Sequence, residues 1–83
     1  MYELIYSDTA LKQLRKLTRD VQLRILTALE RLRIRPESCD LKKLVGQPGY
    51  RFRVGDYRII FDIEREKLHI LVLQVGHRRN VYD

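Results

Sequence analysis

The sequence predicts an α+β fold: a mostly antiparallel sheet, elements in the order β-α-α-β-β-β, with two N-terminal helices packed on one face. Three observations lead there. Apolar residues recur at helical spacing in two stripes between residues 8 and 34, alternate with polar ones through residues 50–63 around a Gly-Asp pair, and run almost unbroken from Leu68 to Val75. With 83 residues and 45% hydrophobic content, the chain is read as one domain, 1–83, with a single core.

Met1 to Tyr6, MYELIY, is a β-prone run that adds a strand to the sheet. Ser7 or Asp8 then caps a helix, along which Ala10, Leu11, Leu14 and Leu17 form an apolar stripe with Lys12, Gln13, Arg15 and Lys16 outside it. Thr18-Arg19-Asp20 interrupts the pattern. Thr18 or Asp20 caps a second helix, whose stripe is Val21, Ile25, Ala28, Leu29 and Leu32. Arg35-Pro36 stops it, because a proline ring crowds the preceding residue out of helical geometry. Residues 36–49, PESCDLKKLVGQPG, read as a loop that ends in a Gln-Pro-Gly turn. Lys42 and Lys43 lie just ahead of the first central strand, either as solvated loop charge or as contacts to an RNA backbone that position it without reading sequence.

In Val54-Gly55-Asp56-Tyr57, glycine holds the first of two turn positions, which suits a two-residue type II′ hairpin. That loop sets Val54 opposite Tyr57, Arg53 opposite Arg58, Phe52 opposite Ile59, Arg51 opposite Ile60 and Tyr50 opposite Phe61. One face then carries Tyr50, Phe52, Val54, Tyr57, Ile59, Phe61 and Ile63, and the other carries Arg51, Arg53 and Arg58. Like charges directly across a strand pair destabilise it by a few tenths to about 1 kcal/mol, so the arginine pair points to an anionic ligand. After a polar Glu64-Arg65-Glu66-Lys67 connection, pairing Ile63 with Leu68 sends Leu68, Ile70 and Val72 to the core and Leu71, Leu73 and Val75 to the arginine face. A strand apolar on both sides expects cover on both, so an outside partner belongs on the second. Strict alternation carries His77 to the arginine face, unless Gly76 breaks it. His69 is expected near Asp62, in a structural cross-strand pair.

The balance of 17 Lys+Arg against 11 Asp+Glu gives a net charge of +6 and a pI near 9.8. It points to nucleic acid, an anionic membrane surface or an acidic protein. A lone cysteine, Cys39, rules out an intramolecular disulfide, and there is no apolar leader or long apolar run, so the chain is expected to be cytoplasmic and soluble, with no membrane role. Zinc spacing and a glycine-rich phosphate loop are also missing. No metal and no cofactor are expected.

The last strand ends in a basic cluster closed by a tyrosine. With the N-terminal strand, two basic amphipathic helices and LKKLVG, the motifs YRFRVGDYRIIF and VGHRRNVY make nearly the whole chain resemble the RelE/ParE toxin superfamily, specifically its RelE-like messenger-RNA endonucleases. The resemblance implies a toxin of a type II toxin-antitoxin system that cleaves messenger RNA in the ribosomal A site, inhibits translation and is held inactive by a cognate antitoxin. By the same resemblance, the two basic residues at alternate positions of the first central strand are Arg51 and Arg53, where the family more often has lysines. The arginine after the tyrosine of the next strand is Arg58, that after the glycine of the last strand is Arg78, and the closing tyrosine is Tyr82. His77 is an auxiliary candidate. The implied reaction is attack of the RNA 2′-hydroxyl on the adjacent phosphate, leaving a 2′,3′-cyclic phosphate and a 5′-hydroxyl.

Such a reaction needs a base, positive charge around the phosphorane-like transition state and an acid for the leaving oxygen. The arginines supply charge, but a guanidinium with a pKa above about 12 cannot be the base. Tyr82 and His77 remain for that role. Two rival readings stand beside this one. The first is a ParE-like toxin that binds gyrase without nuclease activity. The second is a catalytically idle domain that only binds RNA or antitoxin.

Overall fold

The computed structural model describes residues 1–77. Its elements are β1 (Glu3–Tyr6), α1 (Asp8–Arg15), α2 (Arg19–Ile34), a 3-10 turn (Pro36–Ser38), β2 (Leu41–Lys43), β3 (Tyr50–Val54), β4 (Tyr57–Glu64) and β5 (His69–His77). The five strands form one sheet in the order β1-β5-β4-β3-β2, in which β1 runs parallel to β5 and every other neighbouring pair is antiparallel. The α+β class and the two helices agree with the sequence. The sheet has one more strand than expected, because Leu41–Lys43, read as loop, pairs with β3 as an edge strand.

Ser7 caps α1 with extended backbone, its Oγ accepting the Ala10 N–H at 3.0 Å. Thr18 does the same for α2, accepting the Val21 N–H at 3.4 Å. Each cap satisfies a donor that the helix itself leaves unpaired. Ala10 and Leu14 of α1 and Ile25, Leu29 and Leu32 of α2 bury against Val54, Ile59, Phe61, Ile70, Val72 and Val75. Both helices therefore cover the same face. The far end of α2 is tied to the residue just before β1, where Arg33 O accepts the Tyr2 N–H at 2.8 Å and Arg33 Nε donates to Tyr2 O at 3.0 Å.

The hairpin follows its expected register from Tyr50–Phe61 to Val54–Tyr57. Gly55 has φ +60 and Asp56 keeps negative φ, the signature of the type II′ turn. In β5 the register departs from strict alternation. Ile60 pairs with Gln74 but Phe61 with Val72, so Leu73 is an extra, bulged residue. The bulge turns Val75 into the core at 1% exposure, and Ile63 pairs with Ile70 rather than Leu68. Leu68 instead sits in the turn, 49% exposed and with φ +56. The α1 cap and one α1 side chain serve the bulge: Ser7 Oγ donates to Leu73 O at 2.7 Å, and Gln13 Oε1 accepts the Val75 N–H at 2.6 Å.

Candidate functional site

The face away from the helices holds the cationic residues. Directly opposed residues on neighbouring strands point to the same side. The register makes one row of Lys42, Arg51, Ile60 and Gln74 and a second of Arg53, Arg58 and Gly76. Arg51 and Arg58 are half-buried and Arg53 is exposed. The Nε atom of Arg58 is shielded from solvent, and Gly76 puts no side chain across from it. A cavity of about 140 Å³ is lined by Asp40, Lys42, Arg51 and Arg53. A second hollow of about 240 Å³ adjoins it, lined by Lys42, Lys43, Leu44, Val45 and Arg51.

The site has an apolar footing. Leu44 and Ile60, 8% and 5% exposed, form a small cluster of their own. Gly49 lets the intervening loop come close: it has φ +113, and a Cβ there would sit 3.0 Å from Phe61 O. Leu44 N–H donates to Gly49 O at 3.1 Å, closing the loop over β4.

The two lysines separate. Lys42 pairs with Arg51 and joins the arginine face, whereas Lys43 pairs with Tyr50, a residue packed on the helix-side core, and reaches only the second hollow. His77 also differs from the alternation reading. The Leu73 bulge shifts it opposite Tyr57, against which its ring packs edge-on with centroids 5.6 Å apart, so it faces the helix side. His69 pairs with Glu64, Nδ1 to Oε1 at 3.8 Å, and not with Asp62, which stands opposite Leu71. Arg78 and Tyr82 lie outside the described residues. The apolar remainder of the open face is Ile5 beside Leu71, with the exposed Leu73, rather than Leu71, Leu73 and Val75.

Asp40 escaped the sequence reading. It lies two residues before Lys42, so once LKK is a strand, alternation brings it to the same face, next to Arg53. Among the described residues, no three His, Cys, Asp or Glu side chains gather as a metal site, and no helix is long and apolar enough to cross a membrane.

A family model described as the ParE toxin of type II toxin-antitoxin system, parDE, matches residues 4–82. The chain belongs to the ParE toxin family. Within this family it is similar to Toxin RelE3 of Methanocaldococcus jannaschii, at 28% identity over 98% of this chain and 96% of that protein. Among solved structures, the ParE-family fold seen here is similar to the toxin in the intact E. coli RelBE toxin-antitoxin complex, with TM-score 0.79 and 29% identity over 93% of this chain and 96% of that one. It is also similar to the Mycobacterium tuberculosis RelBE2 complex, with TM-score 0.82 and 26% identity over 93% and 98% of the two chains. The archaeal RelE-RelB complex of Pyrococcus horikoshii gives 0.78 and 28% over 96% and 98%. This member of the ParE toxin family is thus a RelE-like toxin of the RelE/ParE superfamily.

Proposed function

We propose that this toxin is a ribosome-dependent endoribonuclease that cuts messenger RNA by attack of its own 2′-hydroxyl. The observation that carries the reading is the convergence of Lys42, Arg51 and Arg53 on one cavity, with Arg58 directly across from Arg53. Opposed arginines work against the sheet. A phosphate between them reverses the sign, since guanidinium groups donate paired, charge-assisted hydrogen bonds to phosphate oxygens.

In this account Lys42, Arg51, Arg53 and Arg58 hold the scissile phosphate and stabilise the negative charge that grows on it. Lys43 contacts the backbone farther along. Arg78 and Tyr82 follow β5 closely in the sequence. Arg78 stabilises the leaving 5′-oxygen and Tyr82 takes part in proton transfer. The chemistry is metal-independent, because charge that a metal would otherwise provide comes from guanidinium groups.

The toxin acts in the cytoplasm and is restrained by a cognate antitoxin, as the RelE toxins of E. coli, M. tuberculosis and P. horikoshii are paired with theirs. The antitoxin covers the Ile5, Leu71 and Leu73 patch and the arginines beside it. A gyrase-binding reading draws on the ParE description of the family. It gives no role to the cationic cavity.

One experiment separates the two. The chain is induced in cells, and 5′ ends of ribosome-bound messenger RNA are mapped alongside gyrase-linked DNA breaks. New ends within the A-site codon, with breaks unchanged, are expected. Breaks without new ends would overturn the ribonuclease reading.

A further inference from the structure

Asp40 is an oddity in the cationic cavity. It is the one acidic residue among the four that line it. Leu41 pairs with Phe52 and Lys42 with Arg51, so the residue just before β2, Asp40, falls beside Arg53, and alternation sets Asp40 and Lys42 on the same side. Among the described residues neither Asp40 nor Arg53 takes part in an ion pair. A carboxylate there weakens anion binding, because its charge opposes the phosphate that the three cations attract. A pocket built only to hold phosphate would be better without it.

Proton transfer gives the carboxylate a use. The attacking 2′-hydroxyl must lose its proton, and the other lining groups, Lys42, Arg51 and Arg53, are donors with no acceptor lone pair. His77 faces the helix side, opposite Tyr57. Resting on the ribonuclease reading, we propose that Asp40 is the general base that takes the proton of the RNA 2′-hydroxyl at the cavity it shares with Lys42, Arg51 and Arg53. As the 2′-oxygen bonds to phosphorus, the bond from phosphorus to the 5′-oxygen breaks, and its electron pair leaves with that oxygen. The 5′-oxygen takes a proton from water, and the hydroxide left behind takes the proton held by Asp40. The products are a 2′,3′-cyclic phosphate and a 5′-hydroxyl, with no net gain or loss of protons.

The test compares wild type with Asp40→Asn, which keeps shape and removes basicity, on ribosomes programmed with a defined messenger RNA. Three quantities are read: single-turnover cleavage rate, affinity for the same complex carrying a 2′-deoxy nucleotide at the scissile position, and melting temperature. Cleavage should slow by about a hundredfold or more, the usual scale of a lost general base, while affinity is unchanged or tighter and the melting temperature stays put. Asp40→Glu should recover part of the rate. Cleavage by Asp40→Asn within about threefold of wild type, well short of the effect of a lost base, would overturn the proposal. So would a joint fall in rate, affinity and melting temperature, which would make Asp40 a structural residue. A wild type that cuts nothing would instead defeat the ribonuclease reading on which the proposal rests.

Discussion

Arg53 and Arg58 face each other directly across β3 and β4, fixed there by the Gly55-Asp56 turn. Neither belongs to the core, which Val54, Ile59 and Phe61 join from the other face of the sheet. Asp40 lines the same cavity as Arg53 at the edge of the sheet, and no ion pair joins them.

Arg53→Gln should therefore leave the free toxin as stable as before, or more stable by at most about 1 kcal/mol. Cleavage should move the other way, slowing by roughly a hundredfold or more, as when a donor to a developing oxyanion is lost. Urea unfolding and single-turnover cleavage of ribosome-bound RNA measure the two effects. If stability and activity fell together, Arg53 would be a residue of the fold.

Gln13 holds the bulge that sets the register of β5, since its Oε1 takes the Val75 N–H at 2.6 Å. Gln13→Leu leaves that amide without its acceptor, which should cost about 1 to 3 kcal/mol. A lowered urea midpoint with unchanged slope is the expected result. An unmoved midpoint would mean that the bulge does not depend on α1.

Leu68 adopts left-handed backbone at φ +56 with its side chain 49% exposed. Such a conformation costs an L-residue about 1 to 2 kcal/mol, partly offset in a glycine variant by the greater freedom of its unfolded chain, about 0.5 to 1 kcal/mol. Leu68→Gly should raise stability by a few tenths to about 1 kcal/mol. A loss on thermal unfolding would show that the leucine makes compensating contacts.

Tyr6 packs against the core, and burial, reinforced by Glu30, raises its phenol above the ordinary value of 10.0. The folded state thus holds the proton more tightly than the unfolded one. Its stabilising contribution is whole below pH 10.0 and is lost as pH rises through the folded value. Tyr6→Phe should flatten that alkaline decline, and equal declines in the two proteins would refute the assignment.

What could be read from the residues follows physical lines. The hairpin register was legible because glycine at the first of two turn positions selects a type II′ loop and the alternation from Tyr50 to Ile63 is clean. Both helices were legible because their stripes are apolar on one side only. The short strand Leu41–Lys43 was not, since three residues set no periodicity and two are lysines. Nor was the bulge at Leu73: β5 is apolar on both faces, so an extra residue leaves no break in the pattern, and Val75 and His77 were misplaced as a result, while Leu68 was misplaced because the turn ahead of β5 is longer than the polar run suggests. Missing β2 also hid Asp40 and split Lys42 from the arginines it joins.

In the proposed reaction RNA supplies its own nucleophile while the arginine face supplies charge. The most direct measurement places a single 2′-deoxy nucleotide at the scissile position of a messenger RNA bound to ribosomes and follows cleavage with and without a chelator. The all-ribose message should be cut equally well in chelator, and the 2′-deoxy message should not be cut at all. Cleavage of the 2′-deoxy message at that position would contradict it.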